Sequence, residues 1–218
     1  MMKKLLFSLA LVICVNLTSQ AQEIRLNTYA GYVFADKVDS YYSSSSYYEG
    51  KIQENLRWGL GIEYKLDANK AFELQYLRQD TQVPLTYLDS DFGGNVKSTE
   101  FDLAMNWIML NGTNYIKVNE TVEPFIGGGI GMAIFNVENP DTGYSDGGTK
   151  FAWAIRGGSN FWVSEKVAIR IQANLMSAVQ SVGGGIYFGT GGGGAGVSTY
   201  STMYQFGFEG GLVFLIPR

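Results

Sequence analysis

Between residues 57 and 66, Trp58, Leu60, Ile62, Tyr64 and Leu66 alternate with Arg57, Gly59, Gly61, Glu63 and Lys65. Successive side chains of a β-strand point to opposite faces, so this run predicts a strand with one large apolar face and one small or charged face. Seven further segments repeat the pattern: 24–34, 71–78, 98–110, 123–135, 150–163, 167–175 and 201–216. In 98–110, Phe101, Leu103, Met105 and Trp107 are set against Glu100, Asp102, Ala104 and Asn106. In 123–135, Ile126, Ile130, Met132 and Ile134 are set against Gly127, Gly129, Gly131 and Ala133. The predicted strands are close to the roughly 9–11 residues with which a tilted strand crosses a bilayer.

Turn chemistry predicts short links at 67–70 and 164–166 and a somewhat longer one at 111–114, while the connections 36–56, 79–97, 136–149 and 177–199 are long. Short turns on one rim and long loops on the other are the arrangement of a bacterial outer-membrane barrel. The predicted fold is therefore all-β, an antiparallel transmembrane barrel of about eight strands with short periplasmic turns and long extracellular loops.

Alternation alone leaves open which face is inside, because a soluble lipocalin-like barrel would bury the apolar face around a ligand. Three features favour lipid outside. Gly127, Gly129 and Gly131 share the small face, where they would weaken a soluble exterior but make room in a narrow lumen. The same face carries charges of both signs, Glu63, Glu73, Asp102 and Glu209 with Arg57, Lys65, Arg156 and Arg170, and buried charges require such pairing. Aromatic residues gather toward strand ends, as in the two interfacial girdles of a membrane barrel. The expected lipid-facing and girdle residues are Trp58, Tyr64, Phe72, Trp107, Trp153, Phe206, Phe208 and Phe214. The expected polar network of the lumen is Glu63, Lys65, Glu73, Asp102, Arg156, Arg170 and Glu209.

The N-terminus is consistent with export. Lys3 and Lys4 precede an apolar stretch from Leu5 to Leu17, and Ser19-Gln20-Ala21 places small residues before a cleavage point at Gln22. Residues 1–21 thus read as a signal peptide and 22–218 as one barrel domain. Cleavage removes Cys14, the single cysteine, and the sequence contains no histidine. Ser-His-Asp triads, a histidine base and His- or Cys-ligated zinc are thereby excluded. The net charge of −4 becomes −6 once Lys3 and Lys4 are lost, which disfavours nucleic acid as a partner.

The run Pro124-Phe125-Ile126-Gly127-Gly128-Gly129-Ile130-Gly131 resembles the central strand of small OmpA/OmpW/OmpX-type outer-membrane barrels. The segment Phe151–Phe161 with Gly157-Gly158 and the closing strand Phe206–Phe214 are similar as well, so the resemblance covers nearly the whole mature chain. Such barrels commonly end on an aromatic residue read by the assembly machinery. Here Phe214 is followed by Leu215-Ile216-Pro217-Arg218, a departure from that pattern. No peptidoglycan-binding domain follows, so wall tethering is not expected. The resemblance implies a cell outer membrane location, assembly by the outer-membrane barrel machinery, lipid as a partner, no cofactor or metal, and a monomer. Hydrolases of similar fold rely on a histidine that this chain lacks.

An eight-stranded barrel is filled by side chains rather than open to water. The expectation is a non-enzymatic barrel with an occluded polar lumen and a structural or surface-interaction role. The alternatives are a small-solute channel or apolar small-molecule port, and an exported soluble lipocalin-like barrel. Tyr41, Tyr42, Tyr47 and Tyr48 flank a serine run and form the candidate surface for an extracellular ligand or protein, since Tyr and Ser suit adaptable recognition. Asp89–Asn95 lacks the distal Glu of a calcium loop, and Gly191–Gly194 lacks the Lys-Ser/Thr of a phosphate loop, so both read as loops.

Overall fold

The computed structural model describes residues 23–43, 46–89, 95–140, 143–179 and 203–216. The segment expected to be a signal peptide, the tip of the Asp89–Asn95 loop and Gly191–Gly194 lie outside the described residues, as do the side chains of Tyr41, Tyr42, Tyr47 and Tyr48. Every regular element among the described residues is a strand: β1 (Ile24–Val33), β2 (Asp36–Ser43), β3 (Ser46–Ile52), β4 (Asn55–Lys65), β5 (Lys70–Asp89), β6 (Asn95–Tyr115), β7 (Val122–Asn139), β8 (Tyr144–Trp162), β9 (Val167–Val179) and β10 (Met203–Ile216).

Eight of them form the wall. The order β5-β4-β1-β10-β9-β8-β7-β6 returns to β5 through the β5–β6 pairing, so the ring has no free edge. All pairings are antiparallel, and β1 meets β10 with Leu26 opposite Phe214 and Tyr32 opposite Phe208. β2 and β3 form a separate hairpin that extends the sheet beside β5, with Glu49 opposite Thr86.

The predicted short turns at 67–70 and 164–166 are both present. Asp67 Oδ1 accepts the Asn69 and Lys70 amides at 2.7 and 2.8 Å, and Ser164 Oγ accepts the Val167 amide at 3.1 Å. The somewhat longer link expected at 111–114 is displaced. Residues 111–114 lie inside β6, and the chain reverses at 116–121, where Asn119 Oδ1 accepts the Thr121 and Val122 amides. Much of the predicted loops 79–97 and 136–149 is also strand, because hydrogen bonding continues from Gln79–Met105 to Asp89–Asn95 and out to Asn139–Tyr144. At 20 and 21 residues, β5 and β6 are about twice the length needed to cross a bilayer. Their outer halves stand above it as a paired ribbon.

The two backbone bonds to Asp67, first that from Asn69 and then that from Lys70, hold its carboxyl below the usual carboxylate range. A carboxyl lowered in the folded state stabilises the fold at pH values above its unfolded value, and that contribution is lost as pH falls through the folded value. Acid titration of unfolding should therefore be less steep for Asp67→Ala than for the unsubstituted chain. Identical acid limbs would remove the turn from the account.

Candidate functional site

The outer face changes character with height. Leu60, Ile62, Leu74, Leu110, Ile130 and Ile155 are exposed apolar side chains around the ring and form the belt that meets lipid. Near the extracellular end of β1 and β10, Phe34 stacks on Phe206 at 5.8 Å and Phe206 meets Phe208 edge-on at 5.2 Å. Trp58 packs edge-on against Tyr76, whose hydroxyl donates to Asn106 Oδ1 at 2.7 Å. Beyond that level the outward residues of β5 to β8 turn polar. Asp80, Gln82, Asn136, Glu138 and Ser145 line a groove of about 460 Å³ there.

This change of height corrects two expectations on β6. Trp107, expected against lipid, is 0% exposed and points into the barrel with Met105 and Met109, edge-on to Phe135 at 6.2 Å. Asp102, expected in the lumen, faces outward, opposite Glu138 and within 3.4 Å of the Gln82 amide. Above the bilayer the outside of the wall meets water, while the inside is still packed, so the apolar face of β6 belongs inward. The other expected girdle residues lie on the outer side. Trp58, Phe72, Phe206 and Phe208 are exposed, and Tyr64, Trp153 and Phe214 are partly covered.

The lumen is built in tiers from inward positions of neighbouring strands. At the periplasmic end, Arg25 grips Glu123 with Nη1 and Nη2 at 2.8 and 3.3 Å, and Lys65 Nζ reaches the same carboxylate at 3.1 Å. The Arg25 guanidinium lies over the Tyr115 and Trp162 rings at 5.2 and 4.8 Å.

The middle tier holds the most concentrated charge. Strand register sets Glu63 directly opposite Glu73, an arrangement that repels unless cations intervene. Arg156 Nη1 donates to Glu73 Oε2 at 2.5 Å, and Arg170 Nη2 lies 3.4 Å from Glu63 Oε2. Arg170 also donates to Asn160 Oδ1 and to the Tyr29 and Tyr115 hydroxyls, each at 2.8 Å. Those hydroxyls pass the bond on, Tyr29 to Glu73 and Tyr115 to Glu63. Glu73 further accepts from Asn27 at 2.8 Å. Charges taken out of water need both countercharge and hydrogen bonds, and this tier supplies both.

A third tier joins Arg57 Nε to Glu209 Oε1 at 2.8 Å and Gln172 Nε2 to Glu209 Oε2 at 2.7 Å. Above it the interior becomes apolar, with Leu77, Met105, Trp107, Met109, Phe135 and Met176 in one buried cluster. Glycines make the tiers possible. A Cβ on Gly61 would collide with the Glu73 carboxylate, and one on Gly129 with the Asn111 side chain.

The structure thus brings Glu63, Lys65, Glu73, Arg156, Arg170 and Glu209 into the interior. It adds Arg25, Asn27, Tyr29, Tyr115, Glu123 and Asn160, which sequence reasoning did not assign to the network, and it pairs Arg57, already expected among the charges of that face, with Glu209. Arg25, Asn27, Tyr29 and Arg57 already stood on the polar face of their predicted strands. Tyr115 carried no such signal, because it lies past the predicted end of its strand.

No family model matches the chain, and no curated protein matches it. Its fold is similar to that of Neisserial surface protein A, with a TM-score of 0.55 and 12% identity over 89% of this chain and 99% of that one. It is similar also to the outer membrane protein OprG from Pseudomonas aeruginosa, with a TM-score of 0.58 and 11% identity over 93% of this chain and 99% of that one. At these identities the likeness is one of fold. A closed antiparallel ring of eight strands with an apolar belt and an ion-paired interior is an outer-membrane β-barrel, and that is the class of this protein.

Proposed function

We propose that this protein is a non-enzymatic, monomeric barrel with a closed lumen, acting through its surfaces: it reinforces the outer membrane and presents extracellular hairpins. The observation that carries this reading is the filling of the lumen at every tier, from Arg25–Glu123 through Glu73–Arg156 and Arg57–Glu209 to the cluster around Trp107. Each cation is held by a carboxylate, so opening a path for a solute would break several buried pairs at once. The β2–β3 hairpin, where Tyr41 pairs with Tyr47 and Ser40 with Tyr48, supports contact with an extracellular ligand or protein. Insertion by the outer-membrane assembly machinery belongs to the same proposal.

The test is conductance. Folded protein reconstituted in a planar bilayer should give no current steps at any voltage the membrane withstands. Reproducible ohmic steps from folded protein would replace this reading with that of a small-solute channel.

A further inference from the structure

Among the described residues, Gly112, Gly128, Gly157 and Gly210 leave outward belt positions bare, and two of them adjoin. Strand register lines up Phe72, Gly112, Gly128 and Ile155 across β5 to β8, so two adjacent outward positions are bare backbone between large apolar neighbours. A groove of about 570 Å³ lies in the outer wall here, lined by Phe72, Gly112, Ile126 and Ile155 and within the size range of small-ligand sites. Packing does not require the bareness at Gly112. A Cβ there would stand 3.7 Å from Phe72, an ordinary contact, whereas the lumen glycines Gly61 and Gly129 have no room for one. Glycine in a strand forfeits packing and ordering entropy, so at Gly112 it leaves space that the barrel itself does not use.

The groove has a polar end. Lys70, the first residue of β5, and its register partner Asn114 line it on the periplasmic side, and both are exposed. Among the described residues, no carboxylate lines the groove. Asp67, in the adjoining turn, accepts the Asn69 and Lys70 amides and also attracts the Lys70 ammonium, so an anionic head would share that cation with it. An apolar slot leading to an ammonium and a carboxamide at the membrane boundary matches an amphiphile with an anionic head. A second copy of the chain fits less well. A two-fold axis along the membrane normal would bring the two cationic rims together at one height.

We infer that this groove binds one glycerophospholipid of the periplasmic leaflet, with an acyl chain across Gly112 and Gly128 and the phosphate at Lys70 and Asn114. The inference rests on the barrel class and is independent of whether the lumen is closed.

The experiment is native mass spectrometry of delipidated, folded protein in detergent, titrated with dioleoyl phosphatidylglycerol. The unsubstituted chain should hold a single lipid. Gly112→Leu, which fills the slot from the lipid side, should weaken retention at least about tenfold. Lys70→Gln should weaken it about fivefold. Dioleoylglycerol, which lacks the phosphate, should bind weakly and equally to the unsubstituted and Lys70→Gln chains. Unboiled gel migration reports folding, and if Gly112→Leu does not fold, Lys70→Gln with the two lipids decides alone. Unchanged phosphatidylglycerol retention in the folded variants overturns the proposal. A dimer that disappears in Gly112→Leu would assign the groove to a second copy and overturn it equally.

Discussion

Replacing Arg170 with methionine is expected to lower the unfolding free energy of the barrel by about 3–5 kcal/mol, the cost of removing one partner from a buried ionic network. Arg170 is 1% exposed and joins four groups from four other strands: Tyr29 on β1, Glu63 on β4, Tyr115 on β6 and Asn160 on β8. Methionine fills comparable volume but donates nothing. Glu63 and Glu73 would then face each other with Arg156 as the cation held directly between the tiers, and Arg25 Nη1 stands 3.7 Å from Glu63. Urea unfolding in detergent micelles, followed by tryptophan emission, measures the loss. Adding Glu63→Gln to Arg170→Met should recover part of it, since an uncharged partner is less costly to leave unpaired. A loss below about 1 kcal/mol, the range of surface ion pairs, would mean that water reaches this tier and the lumen is open.

The second large effect separates two tryptophans that the sequence placed in one environment. Trp107→Ala should cost about 3–5 kcal/mol, because it removes a fully buried indole from the cluster of Leu77, Met105 and Phe135 and leaves a cavity. Trp58→Ala should cost less than about 1 kcal/mol, because Trp58 is 50% exposed and detergent or lipid takes its place. A spectroscopic version needs no unfolding. In bilayers with brominated acyl chains, Trp58→Phe should remove quenchable emission, while Trp107→Phe should leave the quenchable part unchanged. Equal quenching loss in both variants would return Trp107 to the lipid face.

Trp107 also shows how far the sequence could be read. The wall strands, the antiparallel closure and the inward glycines were legible because alternation with a period of two survives wherever the two faces of a strand meet different surroundings. Glu63, Lys65, Glu73, Arg156, Arg170 and Glu209 were legible for the same reason. Each lies at bilayer height, where outside is hydrocarbon and a charge has only the lumen to occupy. On β6 the rule was applied beyond its range. Phe101, Leu103 and Met105 alternate as cleanly as Leu60 and Ile62 do, yet they sit where Asp102 and Glu138 project from the outer face, and Trp107 stands at the boundary, between outward Asn106 and Ile108.

Strand ends were the other weak point. The Asn111–Asn114 segment reads as a turn from composition, but Asn111 is a buried partner of Gln75 at 2.9 Å, and Gly112 is the bare floor of the outer groove. Turn-forming residues inside a strand are disfavoured locally. Here a neighbour on each side, Phe72 on β5 and Gly128 on β7, holds Gly112 in the ladder.

By itself the sequence determined a barrel with lipid on one side of its wall and paired charge on the other. That much follows from composition and two-residue periodicity. Only the tertiary structure decided the height of each residue along the barrel axis. Height depends on strand register, which matches residues far apart in the chain, and it determines whether an outward side chain meets lipid or water. That is why Trp107 belongs to the core, Asp102 to the extracellular surface, and Gly112 to a groove facing the periplasmic leaflet.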